Sequence, residues 1–569
     1  MFTSEALSSV QKLNTEGQKH CQEQYGESEA KATTESGIEV KPVYTPLDIQ
    51  GMNFEEIGLP GEYPYTRGRN PLMYQVEPWQ MRFLFGYGAG KESRDRWEFL
   101  KEVGMNDLRP HEGIPNFNMA VDLPTHRGYD PDAPEAQTRV GECGVSVSSI
   151  REFEGLLDGI PLDKVRLSFI CDDPTMVLLA MYITYAERRG YPLEKLEIWT
   201  INRLYRQWCW DVITFPPDNA LRLMVENMYF MAKHFPKCRS LSIGGYLMGE
   251  TGANAVQEVA FTLSLAICVT EECIRVGLNP DDFVSQIYAH SHLGMDLFEE
   301  ISKLRALRRM WAKIFKERFG CQNPQALTLR NYPQTGGSFL PALEPENNII
   351  RAAIMTLVGV LAGVDSICTS GYDEALNIPS EEAVKIAIRT QQIIYHETNI
   401  PNVTDPLGGS YYVEHLTNEI ERKAWELLTK IEELGGCLEC WKSGWFRKEE
   451  ARTAQEHQVK VEDGEKVIVG VNKYALEEPT QGFSATFKVD PNVEKEAVER
   501  VKKFRAERDS EKTKAALARL QQATEDFVTK WPDSCGSLMP ALIDTARADA
   551  TLGEMCQVLQ RVCGYVYAY

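Results

Sequence analysis

Positive charge is scarce in this chain: 61 Lys and Arg stand against 82 Asp and Glu among 569 residues, a formal net charge of −21. That argues against nucleic acid or an anionic membrane surface as a general partner. Long apolar runs are missing too, so no transmembrane segment is expected. The first residues, rich in Ser, Gln, Glu and Lys, hold no apolar signal core. A soluble, cytoplasmic protein is expected. The 14 cysteines are scattered, and Cys171, Cys209 and Cys268 sit in apolar runs as reduced buried thiols do. Cys437 and Cys440 form a lone CxxC with no second pair, which is weak evidence for zinc or redox chemistry. No dinucleotide Gly fingerprint follows the early strands.

What is present is globular. A composition 43% hydrophobic and 25% charged, at this length, supports a large core. Residues 1–40 are polar and weakly patterned and read as an arm. Residues 41–95 are dense in Pro and Gly ("IGLPGEYPYTRGRNPLMY") and read as an extended, wrapping segment. From 96 to 400, β-rich runs alternate with amphipathic helices. The runs are "VRLSFIC" (165–171), "LEIWTI" (196–201), "SLSIGGY" (240–246), "VSQIYAH" (284–290), "LTLRNY" (327–332) and "SICTSG" (366–371). The helices include 219–235, 296–320 and 381–397. Such βαβα alternation predicts an α/β fold with a parallel sheet, closed as a (β/α)8 TIM barrel, a doubly wound sheet being the alternative. Residues 401–569 are mainly helical, with 493–527 a solvated helix or helix pair.

The stretch "SIGGYLMGETGANAVQEVAF" (242–261) runs from a β-rich end through a Gly-Gly-Tyr corner and a small loop into a helix. Ligands collect at such strand-to-helix handovers. Its centre, Leu247-Met248, is apolar and offers no acid or base.

Several segments carry a resemblance: "GLPGEYPYTRG" (58–68), "DLPTHRGYD" (122–130), "GYDEALNIP" (371–379), "RTQQII" (389–394), "DPLGGSYYVE" (405–414) and "VGVNKY" (469–474). In this order they resemble the catalytic subunit of the methylmalonyl-CoA mutase family, from about residue 44 to the end. In subunit size the chain is similar to relatives with separate subunits, such as 2-hydroxyisobutyryl-CoA mutase. The resemblance implies an adenosylcobalamin-dependent isomerase in which the cofactor supplies the radical and the protein supplies orientation. The family's cobalamin module carries a DxHxxG motif, and none of the nine histidines here stands in one. The implied partner is therefore a separate small cobalamin-binding subunit, in a dimer of heterodimers, with no cobalamin-binding domain in this chain.

Carried over residue by residue, the resemblance implies that the cofactor-facing side is kept. His126, Glu250, Gln334, Gly337, Glu374 and Ala375 match family positions near the corrin or adenosyl group, and Tyr246 matches the tyrosine beside the radical site. Tyr246 and Gln334 are the implied catalytic residues. The substrate-facing side departs. Leu247 stands where the family has the His bonded to the thioester carbonyl, Trp210 where an Arg clamps the free carboxylate, and Leu84 where a Tyr stacks on the substrate. Thr200 replaces a Gln, and Gln286 replaces a CoA-contacting Arg. Asn70 and Glu77 replace a Tyr and an Arg, and Ile170 a Thr. Met73, Arg82 and Ser168 remain as CoA contacts. Ala120 replaces the Asp that holds the hydroxyl in the hydroxyisobutyryl relative. A Trp cannot imitate a bidentate Arg, so methylmalonyl-CoA itself is disfavoured. An apolar wall of Trp210, Leu84 and Leu247 suits a bulky, branched or aromatic acyl group. Arg69, Arg203 and Arg206 keep a substituted succinyl-CoA open. The competing readings are a mutase for a non-CoA acid, a non-catalytic barrel scaffold, and an unrelated metal lyase, the last taken to have no H-x-H, HExxH or clustered carboxylate motif in its support.

Overall fold

The structure, a computed structural model, describes residues 2–25, 32–109, 115–203, 205, 213–476, 490 and 492–567. It mixes short parallel strands with many helices. The strands are β1 (Gln80–Met81), β2 (Asn116–Ala120), β3 (Arg166–Ile170), β4 (Glu197–Thr200), β5 (Leu241–Ile243), β6 (Ile287–Ala289), β7 (His292–Leu293), β8 (Arg330–Asn331), β9 (Gln334–Thr335) and β10 (Ser366–Ile367). They pair in parallel as β2–β3–β4, β5–β6–β8, β7–β9 and β10–β1. These are separate short ladders, not one continuous sheet. Single parallel bridges join Phe85 to Met119, Trp199 to Arg239 and Gln334 to Cys368. Four of the strands escape the sequence patterns, β7 and β9 lying just past the runs 284–290 and 327–332. β1 lies inside the segment expected to be irregular, and β2 carries Asn116 and Asn118, residues that strands disfavour.

Alternation within the strands decides which side chains reach the site. In β3, Leu167 and Phe169 enter the main core under the helices, while Ile170 joins a second cluster with Trp199, Ile201, Tyr288 and Tyr332. Ser168 shares the Ile170 face. In β5 the same logic sends Leu241 and Ile243 to the core and Ser240 and Ser242 to the opposite face.

The helices follow the apolar periodicity: α1 (Ser4–Tyr25), α2 (Gly90–Glu102), α3 (Thr175–Arg188), α4 (Pro217–His234), α5 (Gly245–Glu250), α6 (Ala255–Arg275), α7 (Leu297–Lys313), α8 (Asn347–Leu361) and α9 (Glu381–Glu397). α1 occupies most of what reads as an arm. Beyond 400 come α10 (Tyr411–Glu433), α11 (Cys437–Lys442), α12 (Trp445–Glu462), the pair α13 (Asn492–Glu507) and α14 (Ser510–Thr529), α15 (Leu538–Arg547) and α16 (Leu552–Cys563). Among the described residues, no helix is long and apolar enough to cross a membrane.

α7 is buried on all sides, and its cations are satisfied one by one. Arg305 reaches Asp405 and Glu414, each at 2.6 Å, and Arg308 donates to the Ala362 and Thr66 carbonyls at 2.7 and 2.9 Å. Arg309 pairs with Glu421 and with Asn418. A buried ion pair costs desolvation, but removing one partner costs more. These bonds fasten α10 and the 65–66 segment to the layer that carries the site.

Candidate functional site

β5 ends at Ile243, and the chain turns at once into the six-residue helix α5. A Cβ on Gly245 would stand 2.1 Å from Glu258 Oε1, so only glycine admits this start. The expected small loop is thus a helical turn. It carries Tyr246 over the end of β6, where the Tyr246 N–H donates to the His290 carbonyl at 2.7 Å. The Tyr246 ring stacks on the His290 ring, centroids 4.8 Å apart and planes at 24°. Gln334 Nε2 donates to Tyr246 Oη at 3.1 Å. Burial pushes the Tyr246 phenol well above its ordinary range, with Glu250 and Glu374 adding to it. Burial also pulls His290 well below the usual imidazole value, reinforced by Arg203 and Arg82, against a hydrogen bond to the Gln334 side chain. The result is a neutral polar trio: protonated phenol, amide and neutral imidazole.

Beside it, Glu250 accepts the backbone N–H groups of Gly337 and Ser338 at 2.7 and 3.0 Å. His292 Nε2 lies 3.2 Å from Glu250 Oε1. The ring is wedged between two glycines: a Cβ on Gly249 would meet it at 2.4 Å and one on Gly336 at 2.2 Å. From behind, Lys303 Nζ donates to the His292 carbonyl and to Glu300, both at 2.7 Å, and to Glu258 at 2.6 Å. Burial pulls Lys303 down, but Glu258 and Glu300 outweigh it and keep the ammonium charged. Glu374 is pushed up to about 7 by burial and by its neighbours Glu250 and Asp373. Next to it Ala375 is exposed.

His126 closes the α-turn Leu123–His126, whose cap Asp122 accepts from the Thr125 N–H at 2.9 Å. Its Nδ1 lies 3.9 Å from Asp172 Oδ2, and Arg203 Nε lies 3.4 Å from Asp172 Oδ1. Tyr246, Gln334, Glu250, Gly337 and Glu374 therefore form one cluster, to which His126 connects through Asp172 and Arg203. The sequence reading passes over His290 and His292. They form an H-x-H at the end of a β-rich run, a spacing taken above to be absent. Among the described residues, no group of His, Cys, Asp and Glu is arranged to hold a metal ion.

The substrate-side residues divide. Ser168 lies on the face turned from the helices, with Oγ buried and without a partner, as are Ser240 Oγ, Ser366 Oγ and Arg82 Nε. Ala120 packs on the Ile170, Trp199, Ile201, Tyr288, Tyr332 cluster, in which Trp199 and Tyr332 stack at 5.2 Å. Leu84 is 39% exposed.

Others need correction. Thr200 faces the helices: its Oγ1 donates to the Ser240 carbonyl at 2.9 Å and accepts from Asn227 Nδ2 of α4 at 3.0 Å. It is a structural hydroxyl and not an acyl-pocket residue. Leu247 packs in the main core, so it does not form a wall with the exposed Leu84. Gln286 is fully buried, its Nε2 3.4 Å from the Phe235 carbonyl at the end of α4. Met73 lines a separate cavity with Tyr74, Val360, Gly363 and Ile400. Arg69 is not free, since it pairs with Asp365 at 2.7 Å and with Glu77 at 3.3 Å. Arg203 is engaged by Asp172. Trp210 and Arg206 lie outside the described residues. Cys437 and Cys440 are buried in α11, where burial pushes the Cys437 thiol well up. That is a packing role.

Comparison with known proteins adds a separate line. The family model described as methylmalonyl-CoA mutase matches residues 33–565. The chain is 36% identical over 526 residues to the 2-hydroxyisobutanoyl-CoA mutase large subunit of Aquincola tertiaricarbonis, covering 92% of this chain and 91% of that one. It is 36% identical over 532 residues to the methylmalonyl-CoA mutase of Rhizobium meliloti, covering 93% and 72%. Against the mitochondrial methylmalonyl-CoA mutase of Homo sapiens the identity is 34% over 533 residues, covering 93% and 68%.

Proposed function

Taking as premise that this chain belongs to the methylmalonyl-CoA mutase family and is an isomerase, we propose that it is the catalytic subunit of an adenosylcobalamin-dependent acyl-CoA mutase. It rearranges the carbon skeleton of a bulky, branched or aromatic acyl-CoA, not of methylmalonyl-CoA itself. The observation that carries this reading is the neutral trio Tyr246, Gln334 and His290 beside the Glu250–Gly337 clasp. Radical rearrangement needs donors, shape and dryness more than a strong acid or base, and the trio offers the former without the latter. Arg82, with its buried Nε free of partners, extends the substrate class to a substituted succinyl-CoA and its malonyl isomer.

The same reading takes the parallel ladders as one (β/α)8 barrel. Its support is that β10 bonds to β1 and that the bridges Phe85–Met119, Trp199–Arg239 and Gln334–Cys368 link successive ladders. The unpartnered hydroxyls of Ser168, Ser240 and Ser366 then line its axis, where the amides of a CoA tail find acceptors and donors.

In this reading the rim is the cofactor face. Gly337 and Ala375 keep it low, and a Cβ on Gly337 would already be in contact with Glu250 Oε2 and Glu374 Cγ at 3.5 Å. Glu250, Glu374 and His126 are the residues that would hold it. Adenosylcobalamin, when bound, supplies a carbon radical that takes a hydrogen atom from the substrate. Glu374, with its pKa about 7, both donates and accepts at neutral pH, which suits amide groups on a ligand. Tyr246 covers the reacting carbons, and Gln334 holds the tyrosine in place. In this reading the chain works with a small cobalamin-binding subunit, as a dimer of heterodimers in the cytoplasm. The relative named as a large subunit supports such a partner.

The test mixes the chain with a small cobalamin protein carrying DxHxxG and with adenosylcobalamin. Branched, aromatic and dicarboxylic acyl-CoA thioesters are then screened for isomers by chromatography with mass detection. Isomerisation of a branched or aromatic thioester is expected, and none by the chain alone. A blank across all thioesters, with no radical signal by electron paramagnetic resonance, sinks the reading in favour of a scaffold subunit.

A further inference from the structure

The Gln334 amide has a donating NH2 end and an accepting oxygen end. Its Nε2 donates to Tyr246 Oη at 3.1 Å, and its bond to the His290 ring favours the protonated imidazole, as an accepting Oε1 does. An oxygen acceptor requires an N–H, so the imidazole gives its proton to Gln334. With Arg82, Arg203 and His292 as its cationic or ionisable neighbours, a neutral His290 has that one N–H and no other. The tyrosine oxygen in turn has its lone pair engaged by Gln334. Its own O–H proton has no acceptor among the described residues. Stacking of the two rings at 4.8 Å holds the chain of bonds as one block, and each bond polarises the next. Leu247, by contrast, has no polar atom and packs in the core.

We propose that Tyr246 is the hydrogen-bond donor to the acyl carbonyl of the substrate, with His290 and Gln334 as positioning residues that aim its proton outward. The inference rests on the mutase reading above. The bonds run His290 N–H to Gln334 Oε1, Gln334 Nε2–H to Tyr246 Oη, and Tyr246 O–H to the thioester oxygen. A donor on α5 thus does at the carbonyl what Leu247 cannot.

The experiment uses the full chain without adenosylcobalamin, so that no thioester is turned over, and benzoyl-CoA and isobutyryl-CoA, each labelled with 13C at the carbonyl. Binding is followed by calorimetry and the carbonyl stretch by isotope-edited infrared difference spectroscopy. In the wild type the band moves to lower frequency on binding. Tyr246→Phe returns it to the position of the free thioester and weakens binding by roughly ten-fold, a net hydrogen bond's worth. Gln334→Glu keeps the shape but puts an acceptor-only group opposite the phenol. It captures the Tyr246 proton and also abolishes the shift. His290→Phe keeps the stacked ring, removes the N–H and leaves an intermediate band. A thioester that binds Tyr246→Phe with the wild-type band overturns this inference alone. Failure of both thioesters to bind the wild type overturns this inference, while the mutase reading stands or falls with the isomer screen above. Melting curves of the variants separate either result from unfolding.

Discussion

The carboxylate of Glu250 receives the Gly337 and Ser338 N–H groups at 2.7 and 3.0 Å, so one side chain of α5 clasps the loop that follows β9. Removing it leaves two donors to find water. Ser338 is exposed and rehydrates readily, so the cost of Glu250→Ala is the lower part of the usual range, roughly 1–2 kcal/mol. Thermal melting should show a drop of a few degrees. Glu250→Gln keeps one acceptor and should fall between. An unchanged melting temperature for the alanine variant would refute the clasp.

Space around His292 makes a sharper demand. A Cβ at Gly249 or Gly336 would lie 2.4 or 2.2 Å from ring atoms, well inside contact distance. The ring has nowhere to go, because its backbone is held by Lys303 and Glu258. Gly249→Ala and Gly336→Ala should each destabilise by about 1–3 kcal/mol or more, and the double variant by less than their sum, since both displace one ring. Chemical denaturation of the two singles and the double checks this. Strict additivity would mean that the glycines serve separate purposes.

Glu299 sets a pH dependence. It is 1% exposed, and burial, with Asp296 and Glu300 nearby, pushes it up to about 7 despite bonds from Thr34 and Ser36. Between the unfolded value near 4.5 and 7 the folded chain holds a proton that the unfolded chain has lost. Stability is then fully present below about 4.5 and falls as pH rises through 7, by on the order of 3 kcal/mol. Glu299→Gln mimics the protonated form and should flatten the decline. The check is melting from pH 5 to 8, and parallel curves for the two proteins would contradict it.

Alternation and amphipathic period made much of the framework legible. "VRLSFIC" yields β3, and 381–397 is α9 to the residue. Tyr246, Glu250, Gln334, Gly337 and Glu374, singled out from three short separate motifs, do lie together. What escaped has physical reasons. Asn116 and Asn118 disguise β2, since a strand facing away from the helices does not need apolar residues on both sides. α5 reads as a loop because Gly245 and Gly249, poor helix formers, are there to admit Glu258 and His292. His290 looked like the tail of an apolar run. Thr200 was misplaced although the period of two was available: Ile198 belongs to the core beneath the helices, so Thr200, two residues on, shares its face.

That correction separates two positions at which the sequence departs from what the resemblance implies. Thr200→Val removes a hydroxyl joined to Ser240 and Asn227 and leaves Asn227 Nδ2 with only its Ser240 contact at 3.2 Å. It should cost about 1–3 kcal/mol of stability and leave relative rates across acyl-CoA substrates as they were. Leu84 is different: it is 39% exposed and follows Arg82, whose guanidinium Nε is buried without a partner. Leu84→Tyr adds a phenol two residues from Arg82 at an exposed position, with little burden on the core. Paired with Trp210→Arg, it should move preference toward dicarboxylic acyl-CoA by ten-fold or more in the ratio of kcat/KM, the effect of one charge-assisted pair. Competition between a branched monocarboxylic and a dicarboxylic thioester measures it directly. A ratio that moves with Thr200→Val and stays fixed with the Leu84 and Trp210 pair would reverse the assignment and return the acyl group to β4.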